Sequence, residues 1–325
     1  MKPSAWLWFV VPAMLALGAL PPPPALAQVP GRSYWKTLSG ANAVPLIVQS
    51  ISGNTNPFDA SYKVNAGANI SATMALAGYL RAFPLFGRAT TAAIIVPVGR
   101  ITGDVTVENA TVTEAARGFG DPTLEVCMNV IGPPAQINLV DVMRYEPGFS
   151  LDVIGDLAVP IGEYNSAQSL NLGQNRWYGR LGATIVWQFG PWVPGERTTL
   201  EFLPGVWLFG ANTNYQGKKL ETDPIFQLDA HLTRDFTERI WGALDGCWFK
   251  GGKSTVDGTE SGSALNNVAL GFTLGYQINE NLSLTFGYKS TITDSDPGTL
   301  QQDGFMVSFV AGWHSIIEGA RRLKE

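Results

Sequence analysis

The sequence predicts an all-β fold: a closed antiparallel transmembrane β-barrel of about twelve strands, with long extracellular loops and short periplasmic turns. Three observations predict it. Long segments alternate apolar and polar residues with a period of two. The connections between these segments alternate long and short. The chain is apolar in the mean, at a hydropathy of +0.07, and only 15% charged, where a soluble domain carries about 25%. Yet beyond its N-terminal stretch it has no run of the ~20 apolar residues that a membrane helix needs.

The first element is a leader. Lys2 precedes an apolar core over 5–20, and Ala25-Leu26-Ala27 follows a proline run as an A-x-A cleavage site. Residues 1–27 therefore read as a secretory signal peptide, and export to the outer membrane of a Gram-negative cell is expected. A retained membrane anchor is the alternative, and the apolar run is short for one. Residues 28–41 form a segment expected in the periplasm or the lumen. The barrel is expected over 42–314 and a C-terminal tail over 315–325.

Residues 175–189, NRWYGRLGATIVWQF, show the strand pattern. Trp177, Leu181, Ala183, Ile185, Trp187 and Phe189 alternate with Tyr178, Arg180, Thr184 and Gln188. Successive side chains of a strand point to opposite faces, so one face is apolar with aromatic ends and the other is polar. The apolar face is expected to meet lipid and the polar face a lumen. The pattern recurs, giving strands at 42–51, 69–83, 88–98, 121–131, 148–160, 175–189, 198–209, 223–234, 239–249, 266–278, 282–291 and 303–314. Globular strands run about 5–6 residues, whereas a tilted strand crosses a bilayer in about 9–11. Pro45 and Pro97 weaken the first and third assignments, because proline donates no ladder hydrogen bond.

Short turns such as PLFG (84–87) and NE (279–280) are separated by long connections such as 250–266, rich in Gly, Ser and Lys. Outer-membrane barrels have this asymmetry, and an even strand count returns both ends to the periplasm. A soluble β-sandwich would bury the same apolar stripes against a second sheet but gives no reason for the graded loops. The exception to the alternation, 132–147, is read as a short helix beneath the barrel.

The chemistry is sparse. A net charge of -5 with no basic patch excludes a nucleic-acid partner. His231 and His314 are the only histidines, and CxxC and HExxH are missing, so neither a metal site nor a cofactor is expected. No phosphate-binding loop or nucleophile elbow occurs. Ser33-Tyr34-Trp35-Lys36 fits S-x-x-K, a pattern short enough to arise by chance. Cys127 and Cys247 lie in strands far apart, and a disulfide needs Cα atoms within about 7 Å. His231 shares a strand face with Asp229 and Thr233, which reads either as a base with its orienter or as a lumenal histidine in a polar network. The second reading is preferred, and no enzyme is expected.

Alternation assigns to the lumen Arg81, Glu125, Asp152, Asp156, Arg180, Glu201, Asp229, His231, Asp245 and Lys289, with Tyr79, Tyr178 and Trp241 among the aromatics and Trp207 and Phe249 beside them. The charges either neutralise one another or line a solute pathway. The aromatics either fill space or stack a small aromatic solute. Eight strands leave a filled interior and 16–18 an aqueous channel, so twelve predict a narrow or partly plugged conduit.

The segments SGANAVPLIVQSISGNTNP (39–57), RAFPLFGRA (81–89), GFGDPTLEV (118–126), VPIGEYNSAQSLNLGQNRW (159–177), GVWLFGANTNYQGKKLETDPIFQLDAHL (205–232) and KGGKSTVDG (250–258) resemble the outer-membrane family labelled putative MetA-pathway of phenol degradation. The resemblance spans about residues 32–314. It implies an outer-membrane barrel that helps small aromatic or hydrophobic compounds enter the cell, with lipid, the barrel assembly machinery and such a solute as partners. It implies no catalytic residues. Gly120-Asp121-Pro122, Asn171-Leu172-Gly173, Asn175-Arg176-Trp177 and Asp223-Pro224 are read as turn chemistry in preference to substrate contacts. The chain departs from such barrels at its end: Trp313 is followed by HSIIEGARRLKE, whereas they commonly finish on a terminal aromatic. The expected function is a passive channel for phenol-like compounds. The alternative is a non-transporting structural or surface-interaction barrel.

Overall fold

The computed structural model describes residues 29–107, 110–138, 140–141, 144–145, 148–292, 296, 298–315 and 319. The predicted leader, residues 1–27, lies outside these, as does most of the predicted tail. The strands are β1 (Asn42–Gly53), β2 (Asn69–Leu85), β3 (Arg88–Val107), β4 (Ala110–Phe119), β5 (Thr123–Ile131), β6 (Phe149–Ala158), β7 (Tyr178–Phe189), β8 (Thr198–Phe209), β9 (Asn212–Tyr215), β10 (Lys218–Thr222), β11 (Ile225–Asp235), β12 (Ile240–Gly251), β13 (Ser254–Val256), β14 (Thr259–Gly262), β15 (Leu265–Asn279), β16 (Leu282–Ile292) and β17 (Gln302–Trp313).

Twelve of them close a barrel. Each neighbour pair is antiparallel around the ring β1–β2–β3–β5–β6–β7–β8–β11–β12–β15–β16–β17. β17 then returns to β1, in register from Asn42 opposite Trp313 to Gly53 opposite Gln302. No helix among the described residues is long and apolar enough to cross a membrane; the strands do so. All twelve expected strands are present, with ends shifted by a few residues except in β3.

β3 corrects the expectation of a loop after residue 98. It continues to Val107, and β4 returns along it from Ala110 to Phe119. The lower part of β3, Thr90–Ile95, pairs instead with β5. Pro97 sits where the partner changes, so its missing N–H leaves no gap in either ladder, and its carbonyl accepts from Gly120 N at 2.8 Å. Pro45 lies opposite Val310 of β17, and the β1–β2 ladder skips it, running from Ala43–Leu80 to Leu46–Ala77. Both prolines are thus tolerated by placement.

The loop strands β9, β10, β13 and β14 form a second, four-stranded sheet at the long-loop, extracellular end. Their turns are Gln216-Gly217 and Asp257-Gly258, and the β2–β3 turn is Phe86-Gly87. In all three both residues have positive φ, between 48° and 77°. That is the twist a two-residue hairpin requires. Within 132–147, the expected short helix is present at Val140–Asp141, with Arg144 N donating to the Val140 carbonyl at 3.0 Å; residues 139, 142–143 and 146–147 are not described.

The outer wall is the apolar one. Leu181 is 64% exposed, Leu244 67% and Leu270 52%. Aromatic pairs stand at both rims: Trp187 with Phe189 (5.4 Å) and Tyr79 with Trp313 (6.4 Å) at the periplasmic end, Phe226 with Trp248 (5.7 Å) and Tyr288 with Phe305 (4.7 Å) at the other. Val153, in the middle of β6 and outward-facing, tests this wall. Val153→Arg is expected to destabilise the barrel folded in lipid vesicles by about 2–4 kcal/mol, read by denaturant titration. An unchanged midpoint would mean that this face does not meet hydrocarbon.

Candidate functional site

The lumen is filled mainly by polar and charged side chains from β5, β6, β7, β8, β11, β12 and β15, and by two segments that enter it. Glu125, Asp152, Asp156, Arg180, Glu201, Asp229, His231, Asp245, Tyr178 and Trp241 are all buried there. Lys289 is half-buried and joins them through Asp229. Trp207 and Phe249 are buried on the same face.

Tyr79 and Arg81 are corrections. Both are exposed on the outer face of β2, with Tyr79 OH donating to Asn42 Oδ1 at 2.6 Å. The lumenal face of β2 is instead apolar: Ile70, Met74, Leu76 and Leu80 are buried. Ile70, Met74 and Leu76 pack in one cluster with Phe58 of the β1–β2 loop and Leu170 and Leu172 of the β6–β7 loop.

Residues 29–41 enter from the periplasmic end. Arg32 is the anchor, 1% exposed. Its Nη1 binds Asp235 at 2.5 Å and its Nε binds Thr233 at 3.0 Å, while its backbone N–H donates to Glu201 at 2.9 Å. Its guanidinium lies 4.4 Å over Trp35 and 4.6 Å from Trp241, cation–π contacts that strengthen when desolvated. Trp35 Nε1 donates to Glu201 at 2.8 Å, Lys36 pairs with Asp152, and Tyr34 OH reaches Glu125 at 3.4 Å. Gly31 allows the approach, since a Cβ there would stand 2.8 Å from Thr233 Cγ2. Ser33 Oγ donates to the Pro30 carbonyl, a local turn contact.

The remaining lumenal charges pair across strands. Arg180 Nε binds Asp156 at 2.6 Å, Arg197 shares Asp235 at 2.7 Å, and Lys289 meets Asp229 at 3.3 Å. His231 pairs with Asp245, directly opposite on β12, at 2.6 Å, and Thr273 Oγ1 donates to the other Asp245 oxygen. The same-strand partner Asp229 is held instead by Gln227 and Lys289. His231 Nε2 is buried without a hydrogen-bond partner, whereas an acid–base triad would place a nucleophile there. No group of three or more His, Cys, Asp or Glu among the described residues is arranged to hold a metal. Cys127 and Cys247 are buried free thiols.

The extracellular half is closed by the β1–β2 loop, whose residues 54–62 are buried. Asp59 of this loop binds Arg176 at 3.0 Å, Asn56 Nδ2 donates to the Asn171 carbonyl, and Gln174 Nε2 donates to the Phe58 carbonyl. Asp121 fastens the β6–β7 loop by accepting from Gly162 N (2.9 Å) and Gln174 N (2.8 Å). Gly162 and Gly173 meet closely: a Cβ on Gly173 would fall 2.6 Å from the Gly162 carbonyl carbon, and one on Gly162 would fall 2.6 Å from that of Gly120 and 2.8 Å from Gly173 Cα. Burial raises the Asp121 carboxyl to about 6, against the lowering effect of those two N–H groups. Gly120-Asp121-Pro122, Asn171 and Arg176 therefore act as loop fasteners, as turn chemistry predicts. Among the described residues, two cavities with openings to solvent bear on the site, their volumes counted with those openings. One of about 430 Å³ lies beside Tyr34, Lys36 and Cys127. One of about 510 Å³ lies beside Gln49, Phe249 and Lys289.

Comparison with known proteins gives a family and a fold. The family model described as Putative MetA-pathway of phenol degradation matches residues 49–309. The comparison with curated proteins found no match. Among solved structures, the COG4313 outer membrane channel from Pseudomonas putida F1 superposes with a TM-score of 0.70 at 17% identity, over 88% of this chain and 100% of that one. The transport unit of the autotransporter AIDA-I from Escherichia coli gives 0.49 at 10% identity, over 88% and 93%.

Two predictions follow from the geometry. Arg32→Ala removes charge-assisted hydrogen bonds worth about 2–3 kcal/mol to the docking of residues 29–41. Trypsin cleavage at Lys36 is expected to accelerate while the barrel's denaturation midpoint stays close to that of the parent; equal cleavage rates would refute the anchor. Asp121 predicts a pH effect. Its folded pKa is raised, so its contribution to stability is full below the unfolded carboxylate value near 4 and is lost as pH rises through about 6. Amide exchange in 162–174 is expected to increase across that window beyond the intrinsic pH effect, and Asp121→Asn to remove this excess.

Proposed function

The chain belongs to this phenol-degradation family, and from that premise we propose that it is an outer-membrane channel through which small hydrophobic or aromatic, phenol-like compounds pass passively. The observation that carries the reading is the state of the lumenal charges. Each lumenal carboxylate named above is held by a cation or hydrogen-bond donors within the protein. Several cations also lie on rings, such as Arg180 at 5.4 Å from Trp207 and Arg197 at 5.2 Å from Trp35. A compensated, aromatic-rich interior offers little to attract a free ion, and it presents the ring faces and hydrogen-bonding groups that suit an uncharged aromatic. Export through the leader and assembly into the outer membrane belong to the same proposal. No cofactor and no energy source enter it; the concentration gradient drives passage.

A second reading has its own observation. Residues 29–41 and 54–62 fill much of the bore, as expected of a barrel that only supports its loops. Transport separates the two. Phenol crosses bilayers unaided, so the probe is a neutral, more polar aromatic, 4-hydroxybenzamide. Liposomes carrying the mature protein are expected to take it up several-fold faster than empty ones and to show discrete conductance steps in planar bilayers. Uptake equal to that of empty liposomes, with no steps, would discard the channel and favour the structural barrel.

A further inference from the structure

The extracellular cavity, about 510 Å³ of empty space with its opening to solvent included, is bounded by β1, β11, β12, β15, β16, β17 and Tyr62 of the β1–β2 loop. Its wall has two parts. One is a ring surface: Tyr62 and Phe249 lie 4.6 Å apart, tilted by 52°, with Met306 and Ile51 beside them. The other is polar. Gln49 is 3% exposed, and its Oε1 is buried without a hydrogen-bond partner. Lys289 spends one hydrogen bond on Asp229, leaving donors of its ammonium group uncommitted.

A buried amide oxygen without a donor is costly. Its neighbours do not supply one, because Gln227 is already committed to Trp207 and Asp229, and Thr291 to Gln302. The complement to this wall is a flat apolar ring carrying a hydroxyl, which donates to the amide oxygen and can accept from an ammonium. A carboxylate fits less well. Asp229 already neutralises Lys289, so an anion would add an uncompensated negative charge beside it.

We propose that this cavity is a binding site for one phenol-like molecule, its hydroxyl met by Gln49 and its ring laid against Phe249 and Tyr62. Only the choice of ligand class rests on the channel reading; the site itself rests on the cavity and the unpartnered amide.

The test uses the mature chain in detergent and ligand-observed NMR against detergent-only controls. Phenol is compared with anisole, which has the ring but no donor. Saturable phenol binding is expected, about 5- to 10-fold tighter than anisole, the size of one hydrogen bond. Gln49→Leu is expected to bring the two ligands level, and Ala269→Phe, which fills the cavity from β15, to abolish saturable binding. Heat-modifiable electrophoretic mobility checks that each variant folds. Should Gln49→Leu not fold, the phenol–anisole ratio of the parent and the Ala269→Phe result decide alone. Equal binding of phenol and anisole to the parent, or discrimination kept in Gln49→Leu, would overturn the proposal. Saturable binding without liposome uptake would sink the channel and leave the site. Uptake without saturable binding would do the reverse.

Discussion

A backbone amide in hydrocarbon has no water to turn to, so a sheet crosses a bilayer only when its edges meet. Here that closure is the twelve-residue register between β1 and β17, and the other features answer to it. Strands long enough to span must keep their ladders unbroken, so the two prolines that a ladder tolerates badly sit where a partner is skipped or exchanged. The even number of crossings brings Asn42 and Trp313 together at one rim, beside the segment that enters the bore. Closure also creates an interior cut off from bulk water, and that interior sets the second constraint.

A charge inside such a space must be compensated nearby. The barrel wall contributes seven carboxylates to the bore: Glu125, Asp152, Asp156, Glu201, Asp229, Asp235 and Asp245. Its own cations reach Asp156, Asp229 and Asp235, and His231 reaches Asp245. Glu201 and Asp152 receive their partners in large part from residues 29–41, through Arg32, Trp35 and Lys36. The composition of that segment, two cations and two aromatics within five residues, is explained by what it meets.

Period-two alternation exposed the twelve spanning strands because lipid and lumen impose opposite polarity on alternate residues. The same rule placed Glu125, Arg180 and Asp245 correctly on the inside. It failed at Tyr79 and Arg81, because the inner face of β2 packs on Phe58 and Leu170 and is itself apolar, so polarity no longer marks the lumen. It could not choose between Asp229 and Asp245 as the partner of His231, since alternation gives the face but not the cross-strand register. The loop hairpins were legible in principle: Asp257-Gly258 is a strong turn signal, but its strands are only three and four residues long. The inward fold of residues 54–62 has no period at all. It depends on Asp59–Arg176 and Asn56–Asn171, contacts more than a hundred residues apart in sequence.

The way the segment 29–41 is held bears on whether it is a fixed filling or a movable one. A fixed plug is best built on carboxylates that have no other partner, so that withdrawal strands them. The wall here is arranged otherwise. Without Arg32, Asp235 keeps Arg197 and two backbone donors, at 2.7–3.3 Å. Without Lys36, Asp152 keeps Asn129 and Thr184. Without Trp35, Glu201 keeps Thr199 at 2.6 Å. Asp235, Asp152 and Glu201 thus each keep hydrogen-bond donors with the segment absent, whereas Glu125 loses Tyr34 and Asp152 its only cation. The backbone of the segment meets the sheet at its end, where Gly40 N–H donates to the Ala82 carbonyl at 2.8 Å and Ala82 N–H to the Ala41 carbonyl at 2.9 Å, extending the β1–β2 ladder. The filling of the periplasmic half is therefore held mainly by side chains, while the backbone joins it to the sheet at Gly40 and Ala41.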